Sequence, residues 1–173
     1  MGEPADKKRI EAVMRGLGHR ARGPGRVYLV GGSSIVLEGG RVSTIDVDLK
    51  LDPEPAGIFE AIEAIKNELD VNIELASPDQ FIPEVPGWQL RSSFITQIGN
   101  VEFYHYDFYS QALAKLERAH PRDLSDVDVW IDGGLVEREK LGLFFGEIEP
   151  RLLRFPRIEP LAFRARVMRV VES

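Results

Sequence analysis

The chain has no cysteine among its 173 residues, which excludes disulfide frameworks, thiolate zinc sites and cysteine nucleophiles and fits an intracellular protein. Long hydrophobic runs are missing too: none approaches the roughly 20 apolar residues that a membrane-spanning helix needs. The opening MGEPADKKRIEAV lacks the apolar core of a secretory leader. A soluble, cytoplasmic protein that does not engage a membrane is the expectation. Excess positive charge is also lacking. Lys and Arg number 22 against 28 Asp and Glu, for a net charge of −6, which excludes coating of nucleic acid by bulk charge alone. The stretch 150–173 is a local exception, where six arginines (Arg151, Arg154, Arg157, Arg164, Arg166, Arg169) face two acids, Glu159 and Glu172. A helix with a solvated basic face accounts for this, and a local binding patch stays open beside it.

With 43% hydrophobic residues, the chain is long enough for one domain with its own core and too short for two of ordinary size. Ile10, Val13, Met14 and Leu17 recur at helical spacing within 4–18, and Pro24-Gly25 ends that pattern before an apolar strand at 26–30. The strand runs into Gly31-Gly32-Ser33, and SSIVLEGG reads as a short helix closed by Gly39-Gly40. In 44–51, Ile45, Val47, Leu49 and Leu51 alternate with Thr44, Asp46, Asp48 and Lys50, so a strand there carries both aspartates on one face. A helix over 55–69, a strand over 71–76 and a proline-rich loop to Trp88 follow. Residues 93–109 predict a hairpin turning at Gly99-Asn100. Helices are expected near 110–119, 123–131, 137–146, 147–154 and 160–171. The order gives an α/β (α+β) class: a mixed-sheet core over about 1–109 and a helical C-terminal part over about 110–173, in one domain spanning 1–173.

Two carboxylates at i and i+2 on a strand point the same way, with Cα atoms roughly 6.5 Å apart, and can share one hard cation or two adjacent ones. A Gly-Gly turn lets backbone approach a ligand closely, and a serine at the mouth of a helix adds a hydroxyl beside free N–H groups. Together these features imply phosphoryl or nucleotidyl transfer. Taken alone, Gly31-Gly32-Ser33 reads as an ordinary strand-to-helix turn with a serine cap; Asp46 and Asp48 at this spacing shift the balance toward a phosphate site. A Walker loop is excluded because no Lys-Ser/Thr follows the glycines, and a dinucleotide fingerprint fails for want of Gly-x-Gly-x-x-Gly.

The run LVGGSSIVLEGGRVSTIDVDLKL resembles the signature of the nucleotidyltransferase superfamily, in which an apolar strand ends in Gly-Gly or Gly-Ser and Asp-x-Asp follows. Twelve residues separate Ser33 from Asp46, which fits that pattern, and the order of elements up to residue 76 is similar to the minimal core of the fold. A closer likeness is to small prokaryotic proteins distantly related to the nucleotidyltransferase toxins of abortive-infection systems. It rests on Arg41 and Thr44 ahead of the aspartates and on ALAKLERAHPRDLSD, with its Lys-x-x-x-Arg followed by acids.

The resemblance implies magnesium (or manganese) held by Asp46, Asp48 and a third carboxylate, first Glu74 with Asp107 as the alternative. It implies nucleotide binding by Gly31, Gly32, Ser33, Arg41, Thr44, Lys115 and Arg118. NTP is the implied donor, ATP by default, with a hydroxyl on RNA, protein or a small molecule as acceptor, in a setting related to toxin–antitoxin pairs. Plainer readings stand beside these. Lys115 and Arg118 serve equally well as helix charges paired with Glu117 and Asp123, while Asp123 and Asp126 read first as helix-start acids. His105 and Asp107, two apart on the expected strand, read as a hydrogen-bonded pair sooner than a metal pair. The aromatics from Phe103 to Tyr109 read as core sooner than a base-stacking wall. A degenerate member that binds nucleotide, nucleic acid or a partner without chemistry is the competing function. A homodimer through the hairpin edge is a further option.

Overall fold

The computed structural model describes residues 2–173. The chain forms two compact units, the first made of the residues up to Ser77 with Ser92–Tyr106, the second of Pro78–Arg91 with Asp107–Ser173.

In the first unit, β1 (Ala5–Asp6) leads directly into α1 (Lys7–Arg20). The Asp6 side chain accepts the Arg9 N–H at 2.9 Å, satisfying one of the orphan donors that open any helix. Then come β2 (Gly25–Val30), α2 (Gly32–Leu37), β3 (Ser43–Thr44), β4 (Asp46–Leu51), α3 (Ile58–Leu69) and β5 (Asn72–Leu75). The hairpin that returns to this unit is β6 (Ser93–Ile98) and β7 (Val101–His105). Five strands form one mixed sheet in the order β5-β4-β2-β7-β6. Strand β2 runs parallel to β7 and antiparallel to β4, and β4 runs parallel to β5 through the α3 crossover. This is the α+β class that the order of elements implies.

Alternation along the strands sorts the sheet into two faces. Val27, Leu29, Val47, Leu49, Ile73, Val101 and Phe103 join Ile10, Val13 and Leu17 of α1 and Ile58, Ile62 and Ile65 of α3 in one buried core. Each side chain of that size contributes about 1.5–3 kcal/mol when fully buried. The opposite face is left to Asp46, Asp48 and Lys50 of β4, Asn72 and Glu74 of β5, and Tyr28 and Tyr104 of the central strands. A second, two-residue ribbon pairs Ala5 with Thr44 and Asp6 with Ser43. It joins the segment just before Asp46 to the segment just before α1.

The second unit is helical: α4 (Trp88–Arg91), α5 (Phe108–Arg118), α6 (Pro121–Asp132), α7 (Arg138–Ile148), a 3-10 turn over Glu149–Arg154 and α8 (Pro160–Val171). Its core is aromatic, with Phe108 packed on Trp130 and Phe145 on Phe163, centroids 5.4 and 4.9 Å apart. Arg166 donates to the carbonyls of Leu116 and Glu117 at 2.9 and 2.6 Å and so caps the end of α5. Arg164 pairs with Glu149 and Arg151 donates to the Glu84 carbonyl. Half of the basic C-terminal stretch is thus tied into its own unit.

The expected hairpin strand through Tyr109 is too long. Strand β7 stops at His105, and the Asp107 carboxylate accepts the N–H groups of Tyr109 and Ser110, which starts α5 at Phe108 instead. An aspartate N-cap outcompetes continued strand here because it satisfies backbone donors that the expected strand would leave unpaired.

Candidate functional site

The Gly-Gly turn is built where β2 meets α2. Gly31 has φ +64, in the left-handed region that glycine adopts without steric cost. A Cβ built on it would lie 3.5 Å from Asp48 Oδ2, so turn and carboxylate are neighbours. Gly32 has no room at all: its Cβ would lie 2.1 Å from Thr44 Oγ1 and 3.0 Å from Arg41 Nη1. Thr44 in turn donates to the Asp46 carbonyl at 3.1 Å. Gly31, Gly32, Arg41, Thr44, Asp46 and Asp48 therefore gather around one corner of the sheet.

The Ser33 hydroxyl is buried and donates to the Val30 carbonyl at 3.1 Å. It braces the turn from within, and what Ser33 presents to a ligand is backbone.

Parallel pairing of β4 and β5 puts Asp46 beside Asn72 and Asp48 beside Glu74. Neighbouring strands lie about 4.8 Å apart, so these four side chains share one small patch of the sheet face. Asn72 was not singled out from the sequence. Its Nδ2 donates to Asp46 Oδ1 at 2.5 Å and to Glu74 Oε1 at 2.9 Å. The amide therefore stands between two of the three carboxylates assigned to a metal, and among the described residues no group of three or more acidic, histidine or cysteine side chains is gathered for an ion. Asp46 and Asp48 alone still fit a hard cation, since magnesium is commonly held by one or two carboxylates with substrate phosphates completing its shell. The position of Asn72 was legible in one respect: it lies two residues before Glu74 and so on the same face.

The remaining assigned residues belong to the second unit. Asp107 is buried as the N-cap of α5, also accepts from Ser110 Oγ at 2.7 Å, and pairs with Arg91 Nη2 at 2.8 Å. Those roles occupy the carboxylate that was the alternative metal ligand. Lys115 Nζ lies 3.3 Å from Asp123 Oδ1 and 2.9 Å from Asp126 Oδ2, and Arg118 forks onto Asp123 at 2.7 and 2.6 Å. Asp123 also accepts the His120 N–H at 3.2 Å. Burial pushes the Asp123 carboxyl up, but the Arg118 hydrogen bond with the Lys115 and Arg118 charges more than offsets it and holds the group below its usual range. The motif Lys-x-x-x-Arg with following aspartates is thus an ion-pair network joining α5 to α6.

Back in the first unit, His105 reaches two side chains of the α2 region. Its Nδ1 is 2.7 Å from Ser34 Oγ and its Nε2 is 2.9 Å from Glu38 Oε1. Burial pushes the imidazole below its ordinary value, opposed in part by the Glu38 charge.

A five-stranded mixed sheet with a glycine turn opposite an Asp-x-Asp strand is the arrangement of a nucleotidyltransferase-like fold. Residues 8–140 match the family described as "Nucleotidyltransferase of unknown function (DUF6036)". The chain belongs to that family. No curated protein and no solved structure matches it. No helix among the described residues is long and apolar enough to cross a membrane.

Proposed function

We propose that the chain is a cytoplasmic nucleotidyltransferase, dependent on magnesium or manganese, that moves NMP from an NTP, ATP by default, to a hydroxyl acceptor on RNA, protein or a small molecule. One observation carries this reading: Asp48 meets the left-handed Gly31 turn, with Asp46 on the same face of the same strand. Family membership supports the class of reaction. A toxin–antitoxin setting is part of the proposal and rests on the sequence resemblance.

In this reading Asp46 and Asp48 hold the cation. When bound, it neutralises triphosphate charge and makes the acceptor hydroxyl easier to deprotonate. The backbone at Gly31 and Gly32 admits the β- and γ-phosphates because no Cβ stands in the way, and Arg41 beside Gly32 screens their charge. The acceptor oxygen bonds to the α-phosphorus, the bond to the bridging oxygen breaks, and pyrophosphate leaves. Glu74, exposed beside Asp48, takes the hydroxyl proton.

A second reading, nucleotide binding without turnover, is favoured by the Asn72 bridge, which keeps Asp46 and Glu74 occupied with each other. Calorimetric titration of NTPs with and without Mg²⁺, on the wild type and on Asp46→Asn with Asp48→Asn, separates the two. Metal-dependent binding lost in the double variant supports the enzyme. Binding that survives EDTA and the double variant supports the binding module.

A further inference from the structure

Helix α2 spans six residues, and an isolated helix below about 12–15 residues is marginal. Its direction is therefore set by side-chain ties to the elements around it. Ser34 in its first turn and Glu38 at its C-cap are i and i+4, and so stand on one face. A single imidazole reaches both, with Ser34 Oγ 2.7 Å from His105 Nδ1 and Glu38 Oε1 2.9 Å from His105 Nε2.

The partners decide the tautomer. A carboxylate only accepts, so Nε2 carries the hydrogen and donates to Glu38, and bare Nδ1 accepts the Ser34 hydroxyl proton. Ser34 is 0% and His105 5% exposed, so water does not compete for the Ser34 bond, while the Glu38 side chain, 39% exposed, meets the ring from a solvent-facing side. The same burial removes Ser34 as a nucleophile, although the three residues form the sequence of groups found in a serine hydrolase triad. The anchor itself is rigid. His105 ends β7 in register with Leu29 of β2, and the next residue, Tyr106, donates its N–H to the Leu29 carbonyl at 2.9 Å.

We propose that His105 is a positioning residue for the Gly31–Ser33 turn: by gripping α2 at both ends, it fixes the distance at which that turn faces Asp48. This rests on the reading of the turn as the phosphate-binding element. His105 itself touches no nucleotide. It acts through Ser34 and Glu38, as a bracket that ties the short helix to the two parallel strands beneath it.

The test uses the full chain with His105→Leu, which breaks both bonds. His105→Asn can restore the bond to Ser34 and His105→Gln the bond to Glu38; Ser34→Ala is a milder variant should His105→Leu fail to fold. Amide hydrogen exchange without nucleotide and calorimetric binding of Mg·ATP are measured in parallel. In His105→Leu, or in Ser34→Ala if that variant must be used, exchange across 32–37 should rise about tenfold or more while α1 and α3 keep their rates, and Mg·ATP affinity should fall about tenfold, the scale of one lost buried hydrogen bond. The Asn and Gln variants should each recover part of both effects.

Unchanged exchange at 32–37, or a rise shared equally by α1 and α3, would overturn the proposal. So would faster local exchange with full Mg·ATP affinity, which leaves the functional reading standing provided Asp46→Asn with Asp48→Asn still abolishes binding. If the wild type binds no Mg·ATP, the functional reading fails, and the exchange arm alone decides whether His105 holds the turn.

Discussion

Replacing Gly32 by alanine adds one methyl group at the most crowded point of the candidate site. The new Cβ would lie 2.1 Å from Thr44 Oγ1 and 2.8 Å from Thr44 Cβ, where carbon contacts normally settle near 3.5–4.0 Å. Arg41 Nη1, at 3.0 Å, is the end of a flexible chain and can move aside. Thr44 has less freedom: it is buried, bonds the Asp46 carbonyl and is paired with Ala5. The strain therefore falls on the backbone that leads into Asp46, and the cost belongs in the upper half of the overpacking range, about 2–3 kcal/mol. For a chain of this length that lowers Tm by roughly 4–12 °C. Gly31→Ala is the control. Its nearest neighbour is 3.5 Å away, so it carries only the backbone cost of φ +64 with ψ −131, outside the left-handed helical well, about 1–3 kcal/mol. Adding Thr44→Ala to Gly32→Ala removes the closest contact and leaves the second, which should return about 1 kcal/mol. Thermal and urea unfolding of the four proteins measure this directly. Gly32→Ala within about 0.5 kcal/mol of wild type would refute the steric reasoning and, with it, the claim that turn and Asp strand are locked together.

Other outcomes follow from the same geometry. His105 has a folded pKa below its unfolded value of about 6.5, because burial outweighs the Glu38 charge facing it. The unfolded chain then binds the proton first, so this contribution is complete above that pH and is lost as pH falls toward the folded pKa. Urea midpoints between pH 8 and pH 5 should drop for wild type and drop less for His105→Gln; parallel curves would contradict this. Lys115→Met removes the ammonium that the buried Asp123 and Asp126 share and should cost about 3 kcal/mol or more, measurable as a lower urea midpoint. A cost under about 1 kcal/mol would mean that the network behaves as a surface ion pair. Asp107→Asn keeps a capping side chain but loses the charge opposite Arg91, so it should lower stability by about 1–3 kcal/mol and leave Mn²⁺ binding unaltered. Weakened Mn²⁺ binding would restore Asp107 as a ligand.

Periodicity located the elements well because the core is regular. Ile10, Val13, Met14 and Leu17, and the alternation across 44–51, place α1 and β4 within a few residues. What local pattern could not supply is partnership across the fold. His105 was visible as a strand histidine, but its hydroxyl and carboxylate partners lie some seventy positions earlier, and only the parallel register of β2 and β7 brings them together. Lys115 and Asp123 were visible as opposite charges close in sequence, yet nothing in composition says that they are buried against each other. Asn72 carries little signal of its own because an amide seldom anchors a catalytic argument, although its place beside Glu74 follows from alternation alone. Asp107 shows the opposite limit, since a carboxylate at the end of a strand serves a helix start as readily as it serves an ion, and only the fold reveals the cap.

The pairing of Ala5 and Asp6 with Thr44 and Ser43 has a practical side. Ala5 is fully enclosed, and the two residues bind the segment that delivers Thr44 and Asp46. A shortened version starting at Lys7, or a purification handle fused tightly ahead of Ala5, would disturb that seam together with the Asp6 cap of α1 and the place of Ala5 in the sheet core. Such a preparation should lose thermal stability as well as the nucleotide affinity proposed above, so inactive N-terminal fusions should be rechecked after cleavage.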